Sequence, residues 1–255
     1  MTDLFSQLDE SVSKAVQHYW RTREEQGERQ GKPGDQDRGF RRTVTGGSHL
    51  DGFARVLVDL LKDIGVPESW IQYGRGHNEV PGFYRPTKGW DLLVVANKDL
   101  LASIEFKSQA GPSYGNNFNN RTEEALGNAT DLLDAFREEV LPSVRKPWLR
   151  YLFLLEEDEN SMRPVSVQEP HFEVAEVFKD ASYADRYQIL CERLLRKRLY
   201  DGACFLLSKR EEGLQGNYRE PHQELTFKNF ASHLIAHVEG YLRSHGRNGT
   251  EGNQA

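Results

Sequence analysis

Cysteine is nearly absent from this chain of 255 residues, with Cys191 and Cys204 the only two. That excludes a disulfide framework and predicts buried thiols in a reducing compartment. Long apolar runs are missing as well: no stretch approaches the roughly eighteen residues that a bilayer span needs. With 37% hydrophobic and 28% charged residues, the composition is that of a soluble protein. The opening MTDLFSQLDESVSK interleaves acids with apolar residues and lacks the basic end and apolar core of a secretory signal, so a cytoplasmic location is expected. An excess of positive charge is also wanting. The 33 basic residues are outnumbered by 39 acidic ones, for a net charge of -6, which argues mildly against a nucleic-acid partner.

Hydrophobic periodicity divides what is there. Leu4, Leu8, Val12, Ala15, Val16, Tyr19 and Trp20 recur at three- and four-residue steps, predicting an amphipathic helix over 3–24. The polar, glycine-rich stretch 25–47 is expected to be an arm. A helix over 48–65 is closed by Gly65 and Pro67. Strands follow at 70–80, 90–96 and 100–108, the last two joined at Asn97-Lys98-Asp99 in an antiparallel meander. A helix is predicted over 120–138 with Asn120 as its cap, and a strand at 149–155, apolar enough to be covered on both faces. A helix over 182–199, a strand at 203–207 and a helix over 226–243 complete the pattern. The expectation is an α/β protein with a mixed central sheet flanked by helices, divided into an N-terminal helix and arm at 1–47, a main domain at 48–243 and a tail at 244–255.

Chemistry concentrates at 90–107. Strand alternation puts Ile104 and Phe106 on one face and Ser103, Glu105 and Lys107 on the other. Pairing around the Asn-Lys-Asp turn brings Asp91 to the strand beside Glu105, and two such carboxylates suit a hard divalent cation. Lys107 beside them can orient a metal-activated water or neutralise charge on a phosphoryl transition state. An acid-x-Lys triplet arises by chance about 1.7 times in a chain of this composition, so context decides. A solvated strand edge would use the same residues to discourage aggregation.

Context comes from GPSYGNNFNNRTEE at 111–124, where Asn116, Asn117, Asn119, Asn120 and Arg121 surround Phe118. Asparagine can pair with adenine and arginine with guanine, and both can hold phosphates. An asparagine-rich turn that satisfies its own backbone is the plainer alternative. Asp51 and Glu79 are further carboxylates whose place in the site stays open. His233 and His237 have a metal-ligand spacing but no third partner. Thr45-Gly46-Gly47-Ser48 lacks the lysine of a P-loop. Arg193, Arg196, Lys197 and Arg198 form a basic turn that either touches a DNA backbone or is solvated.

Phe83-Tyr84-Arg85-Pro86-Thr87-Lys88, WDLLVV, IEFKSQ, GPSYGNNFNNRTEEALG and TGGSHLDGF together resemble the XhoI-type restriction endonucleases of the PD-(D/E)xK nuclease superfamily, most densely between about 80 and 130. The resemblance implies a restriction-endonuclease-like core and magnesium-dependent cleavage of double-stranded DNA at a palindromic hexamer, CTCGAG, leaving 5′ overhangs. It implies a homodimer in a bacterial cytoplasm, alongside a companion DNA methyltransferase acting on the same site. Asp91 and Glu105 would be the metal ligands and Lys107 the catalytic lysine. Trp90 stands where the superfamily name has proline, which is not a ligand. A repair or structure-specific nuclease of the same fold, or a non-catalytic DNA-binding domain, is the alternative.

Overall fold

A computed structural model of the chain describes residues 4–30, 49–74, 76 and 78–245. Its centre is a five-stranded sheet in the order β1-β4-β5-β6-β7, built from β1 (Ile71–Tyr73), β4 (Leu92–Ala96), β5 (Asp99–Gln109), β6 (Trp148–Glu156) and β7 (Gly202–Ser208). A separate two-stranded ribbon is formed by β2 (Glu79–Pro81) and β3 (Thr87–Gly89). The β1–β4 and β4–β5 pairs are antiparallel, while β5–β6 and β6–β7 are parallel. The sheet is therefore mixed and flanked by helices, as the periodicity predicts. The single strand expected over 70–80 is split between the central sheet and the ribbon, because Gly74 and Gly76 take positive φ and turn the chain out of β1.

Two apolar layers enclose the sheet. On one face, α1 (Leu8–Gln30), α2 (Asp51–Asp63) and α7 (Phe227–His245) pack on Leu92, Val94, Ile104, Phe106, Leu152, Leu154 and Leu206. On the other, α3 (Tyr114–Arg137) and α5 (Tyr183–Arg196) pack on Leu93, Leu149, Tyr151, Phe153, Phe205 and Leu207, with the short helices α4 (Glu159–Met162) before α5 and α6 (Arg210–Gly213) after β7. Both sides of β6 are thereby buried, which explains its unbroken apolar sequence. In α2, Gly65 N–H donates to Lys62 at 2.8 Å and Val66 N–H to Leu61 at 3.0 Å, with Gly65 at φ +86°, the left-handed closure expected there.

Two expectations need correction. The helix placed at 120–138 begins at Tyr114, so Asn120 is inside α3 and caps nothing. Asparagine and glycine form helices poorly, but Tyr114 stacks on Tyr183 at 5.7 Å and Phe118 meets Tyr187 edge-on at 5.1 Å. These two rings, one helical turn apart, extend the apolar stripe through the polar run. The arm expected from 25 starts later, because α1 continues to Gln30; the remaining arm at 31–47, the Thr45–Ser48 motif and 246–255 of the tail lie outside the described residues.

The N-terminal helix is part of the core. Val16, Tyr19 and Trp20 are essentially inaccessible, and the Trp20 indole N–H donates to Ser208 Oγ at 2.9 Å, tying α1 to the end of β7. Trp20→Ala is expected to cost about 3–5 kcal/mol in urea unfolding. A loss below about 1 kcal/mol would mean that α1 is a detachable appendage.

Candidate active site

The β4–β5 hairpin sets the geometry. Asn97 and Lys98 both take positive φ, as a two-residue hairpin turn requires, and Ala96 pairs with Asp99 and Val95 with Leu100. The register then shifts: Val94 pairs with Ala102, leaving Leu101 as an extra residue in β5. Beyond that bulge Leu92 faces Ile104 and Leu93 faces Ser103, while Asp91, just before β4, donates its N–H to Ile104 O at 3.1 Å. Cross-strand partners point to the same face, so the bulge is what turns Glu105 and Lys107 to the α3 side of the sheet, and the bond from Phe106 N–H holds the Asp91 carboxylate near enough for their charges to act on it. Ile104 and Phe106 enter the opposite apolar layer, as alternation predicts.

Glu105 is 1% exposed and crowded with donors. Its Oε1 lies 2.7 Å from Lys107 Nζ and 3.3 Å from Lys88 Nζ on β3. Asn128 on α3 donates its amide to Oε1 at 3.0 Å and Oε2 at 2.8 Å. Burial alone would raise the Glu105 carboxyl, but Lys107, Lys88 and Asn128 outweigh it and hold it below the ordinary glutamate value. Asp91 is less well compensated. Its Oδ2 accepts from Phe106 N–H at 2.7 Å, yet burial prevails and pushes the carboxyl up. Burial likewise dominates at Lys88 and lowers it, whereas at Lys107 burial is overcome by Glu105 and Asp91, which raise it.

A second tier holds this arrangement. Asn128 Oδ1 accepts from Arg85 Nη2 at 2.6 Å, and Arg85 Nε donates to Asp131 at 2.7 Å. Asp131 also accepts the Phe83 and Tyr84 backbone N–H groups at 2.9 and 2.8 Å. Asn128 and Asp131, one turn apart on α3, thus clamp the segment that leads into Lys88. Periodicity could not reveal Asn128, Asp131 or Lys88, because their roles depend on contacts across 17 to 48 residues. The signal available was the dense motif string from Phe83 to Lys88.

The other candidates are placed as follows. Arg121 is on the second turn of α3, its guanidinium 2.6 Å from Glu124, which is in turn 3.8 Å from Lys107. Asn116, Asn119 and Asn120 are exposed on the same helix, while Asn117 donates to Ser113 O at 2.7 Å. Asp51 and Glu79 are exposed and are not brought to the cluster: Asp51 opens α2 on the opposite layer, and Glu79 is on β2. His237 stacks on Trp148 at 3.8 Å and His233 is exposed, so the pair is not a metal site. Arg193, Arg196, Lys197 and Arg198 are exposed around the end of α5, with Arg193 over the Phe178 ring at 4.8 Å.

Among the described residues no three acids, histidines or cysteines converge on one point. Asp91 lies near enough to Glu105 for that charge to act on it, and Asp91 Oδ1 accepts no hydrogen bond from any described residue. Two carboxylates, one with an unused oxygen, fit a cation such as magnesium that retains waters and accepts substrate oxygens.

Comparison with known proteins gives the class of the molecule. The family model described as restriction endonuclease XhoI matches residues 29–220. The chain is 47% identical over 207 residues to the type II restriction enzyme BstVI of Geobacillus stearothermophilus, covering 79% of this chain and 92% of that one. It is 46% identical over 160 residues to the type II restriction enzyme XhoI of Xanthomonas vasicola, covering 62% and 64% of the two chains. It is 39% identical over 164 residues to the type II restriction enzyme AbrI of Azospirillum brasilense, covering 64% and 73%. No solved structure matches the chain. The chain belongs to the XhoI restriction endonuclease family, whose members are type II restriction enzymes.

The depressed Glu105 carboxyl carries a pH signature. Since the folded state binds fewer protons than the unfolded one, its contribution is full above the unfolded value of 4.5 and is lost as pH falls through the lower folded value. The thermal midpoint should therefore drop on acidification below about 4.5, and less steeply in Glu105→Gln. Equal slopes in the two proteins would show that Glu105 is not held in its ionised form.

Proposed function

We propose that the protein is a homodimeric, cytoplasmic type II restriction endonuclease that cuts double-stranded DNA at CTCGAG to leave 5′ overhangs, with magnesium held by Asp91 and Glu105. The reading rests on the adjacency of Asp91, Glu105 and Lys107 at the β4–β5 hairpin, in a chain 47% identical to a named type II restriction enzyme. A palindromic target has two-fold symmetry, and a dimer with one site per strand matches it. Self-protection calls for a companion methyltransferase acting on the same sequence. The domain limits follow the same reading, with the nuclease domain at 48–243 and α1 docked against it.

In this proposal a bound magnesium ion supplies Lewis-acid stabilisation of the phosphoryl oxygens and acidifies water. Asp91 and Glu105 would hold it. Lys107 Nζ, fixed 2.7 Å from Glu105, orients the water that attacks phosphorus in line and neutralises charge as the 3′ oxygen leaves. The exposed amides of Asn116, Asn119 and Asn120, with Asn117 and Arg121 beside them, form the DNA-contacting face of α3.

The reading is tested by digesting plasmid DNA with magnesium and sequencing the ends. Discrete fragments ending in CTCGAG with 5′ overhangs are expected; random nicking would instead point to a repair-type nuclease, and no cutting to a non-catalytic domain. Lys107→Ala and Asp91→Ala should each leave duplex binding largely intact while cleavage falls by about a hundredfold or more. Full cleavage by either variant would sink the assignment of roles. Arg121→Ala should weaken cognate binding more than random binding, and equal weakening would make Arg121 a phosphate contact.

A further inference from the structure

Lys88 reaches the cluster from the β2–β3 ribbon, outside the hairpin that carries Asp91, Glu105 and Lys107. Its side chain is 13% exposed, and its ammonium lies 4.4 Å from the Trp90 ring centroid and 2.8 Å from Gly89 O. Glu105 Oε1 therefore serves two ammonium groups and the Asn128 amide together. An oxygen has two lone-pair directions, so a cation engaging this carboxylate must displace a donor. Lys107 makes the shorter contact, 2.7 against 3.3 Å, and has Glu124 at 3.8 Å as a second acid. Among the described residues Lys88 has no other carboxylate within ion-pairing distance. What remains to it is a carbonyl and an aromatic face, which hold an ammonium in position without neutralising it.

Resting on the nuclease reading above, we propose that Lys88 is a second active-site lysine: as a divalent cation engages Glu105, its ammonium is released to a non-bridging oxygen of the DNA phosphate at or beside the scissile bond. Trp90 and the Arg85–Asn128–Asp131 clamp keep the ammonium at the site after Glu105 lets go. The positive charge so delivered adds to that of Lys107 in offsetting the charge of the phosphate.

The test compares Lys107→Met with the double variant Lys88→Met/Lys107→Met, so that duplex binding is measured in magnesium with cutting suppressed. The methionine at 88 keeps an unbranched stem over Trp90 and removes the charge. Fluorescence anisotropy across a salt series is expected to show the slope of log K against log salt reduced by about one in the double variant. With Lys107 intact, Lys88→Met should slow single-turnover cleavage by about a hundredfold. An unchanged salt slope, whatever the rate, confines Lys88 to bracing Glu105 and overturns the proposal. Lys88→Arg guards against a packing artefact: it should keep the slope of the parent, and a loss equal to that of the methionine variant also overturns it. Failure of the nuclease reading is distinct, since the wild-type protein would then make no cuts, or Lys107→Met would cut at the wild-type rate.

Discussion

Removing a carboxylate from water costs several kcal/mol unless charge and hydrogen bonds compensate it, and Glu105 meets that requirement by drawing donors from three parts of the chain. Lys107 comes from its own strand, Lys88 from the β2–β3 ribbon and Asn128 from α3. The ribbon has no place in the central sheet and is held by the contacts this carboxylate organises: Lys88 to Glu105, Arg85 to Asn128 and Asp131, and two backbone N–H groups to Asp131. Because each of these groups shares a partner with the next, the cluster behaves as a unit. Two of the strings that carry the resemblance, Phe83 to Lys88 and IEFKSQ, are thus neighbours in space around one buried charge.

Much of this was legible in the sequence. Alternation in β5 put Glu105 and Lys107 on one face and Ile104 and Phe106 in the core, and the apolar strand over 149–155 was rightly read as covered on both sides. What could not be read were features set by tertiary contact. The run from Tyr114 to Asn120 has poor intrinsic helix propensity, and only the packing of Tyr114 and Phe118 on α5 makes it helical. Lys88 and Asn128 looked like unremarkable polar residues because no periodicity marks a partner tens of residues away. Asp51 and Glu79 illustrate the converse: carboxylates near motif segments that the topology sends elsewhere.

The acidic net charge also acquires a physical meaning. Several carboxylates are committed internally, Glu105 to its two lysines, Asp131 to Arg85, Asp201 to Lys146, Glu156 to Arg210 and Glu157 to Arg219. A formal charge of -6 counts these acids equally with those facing solvent, so it says little about the field over any one surface. Arginine outnumbers lysine two to one in the sequence, and in three of these pairings it is an arginine that bridges separate segments. Charge here is an internal fastening before it is a surface property.

One residue of register decides which face of the sheet carries the charge. The Asn97-Lys98 turn alone would pair Leu92 with Ser103, and since paired residues share a face, Glu105 and Lys107 would then point into the layer formed with α1, α2 and α7. The extra residue at Leu101 shifts every pair beyond it by one, so that Leu93 faces Ser103 and both side chains emerge on the α3 face, where Lys88 and Asn128 reach Glu105. Leu101 is itself buried in the layer formed with α1, α2 and α7, which gives the bulge an apolar anchor on the face away from the chemistry. The site is thus aligned from behind: the turn begins the register, and the packed layer stabilises the irregularity that turns Glu105 toward its partners.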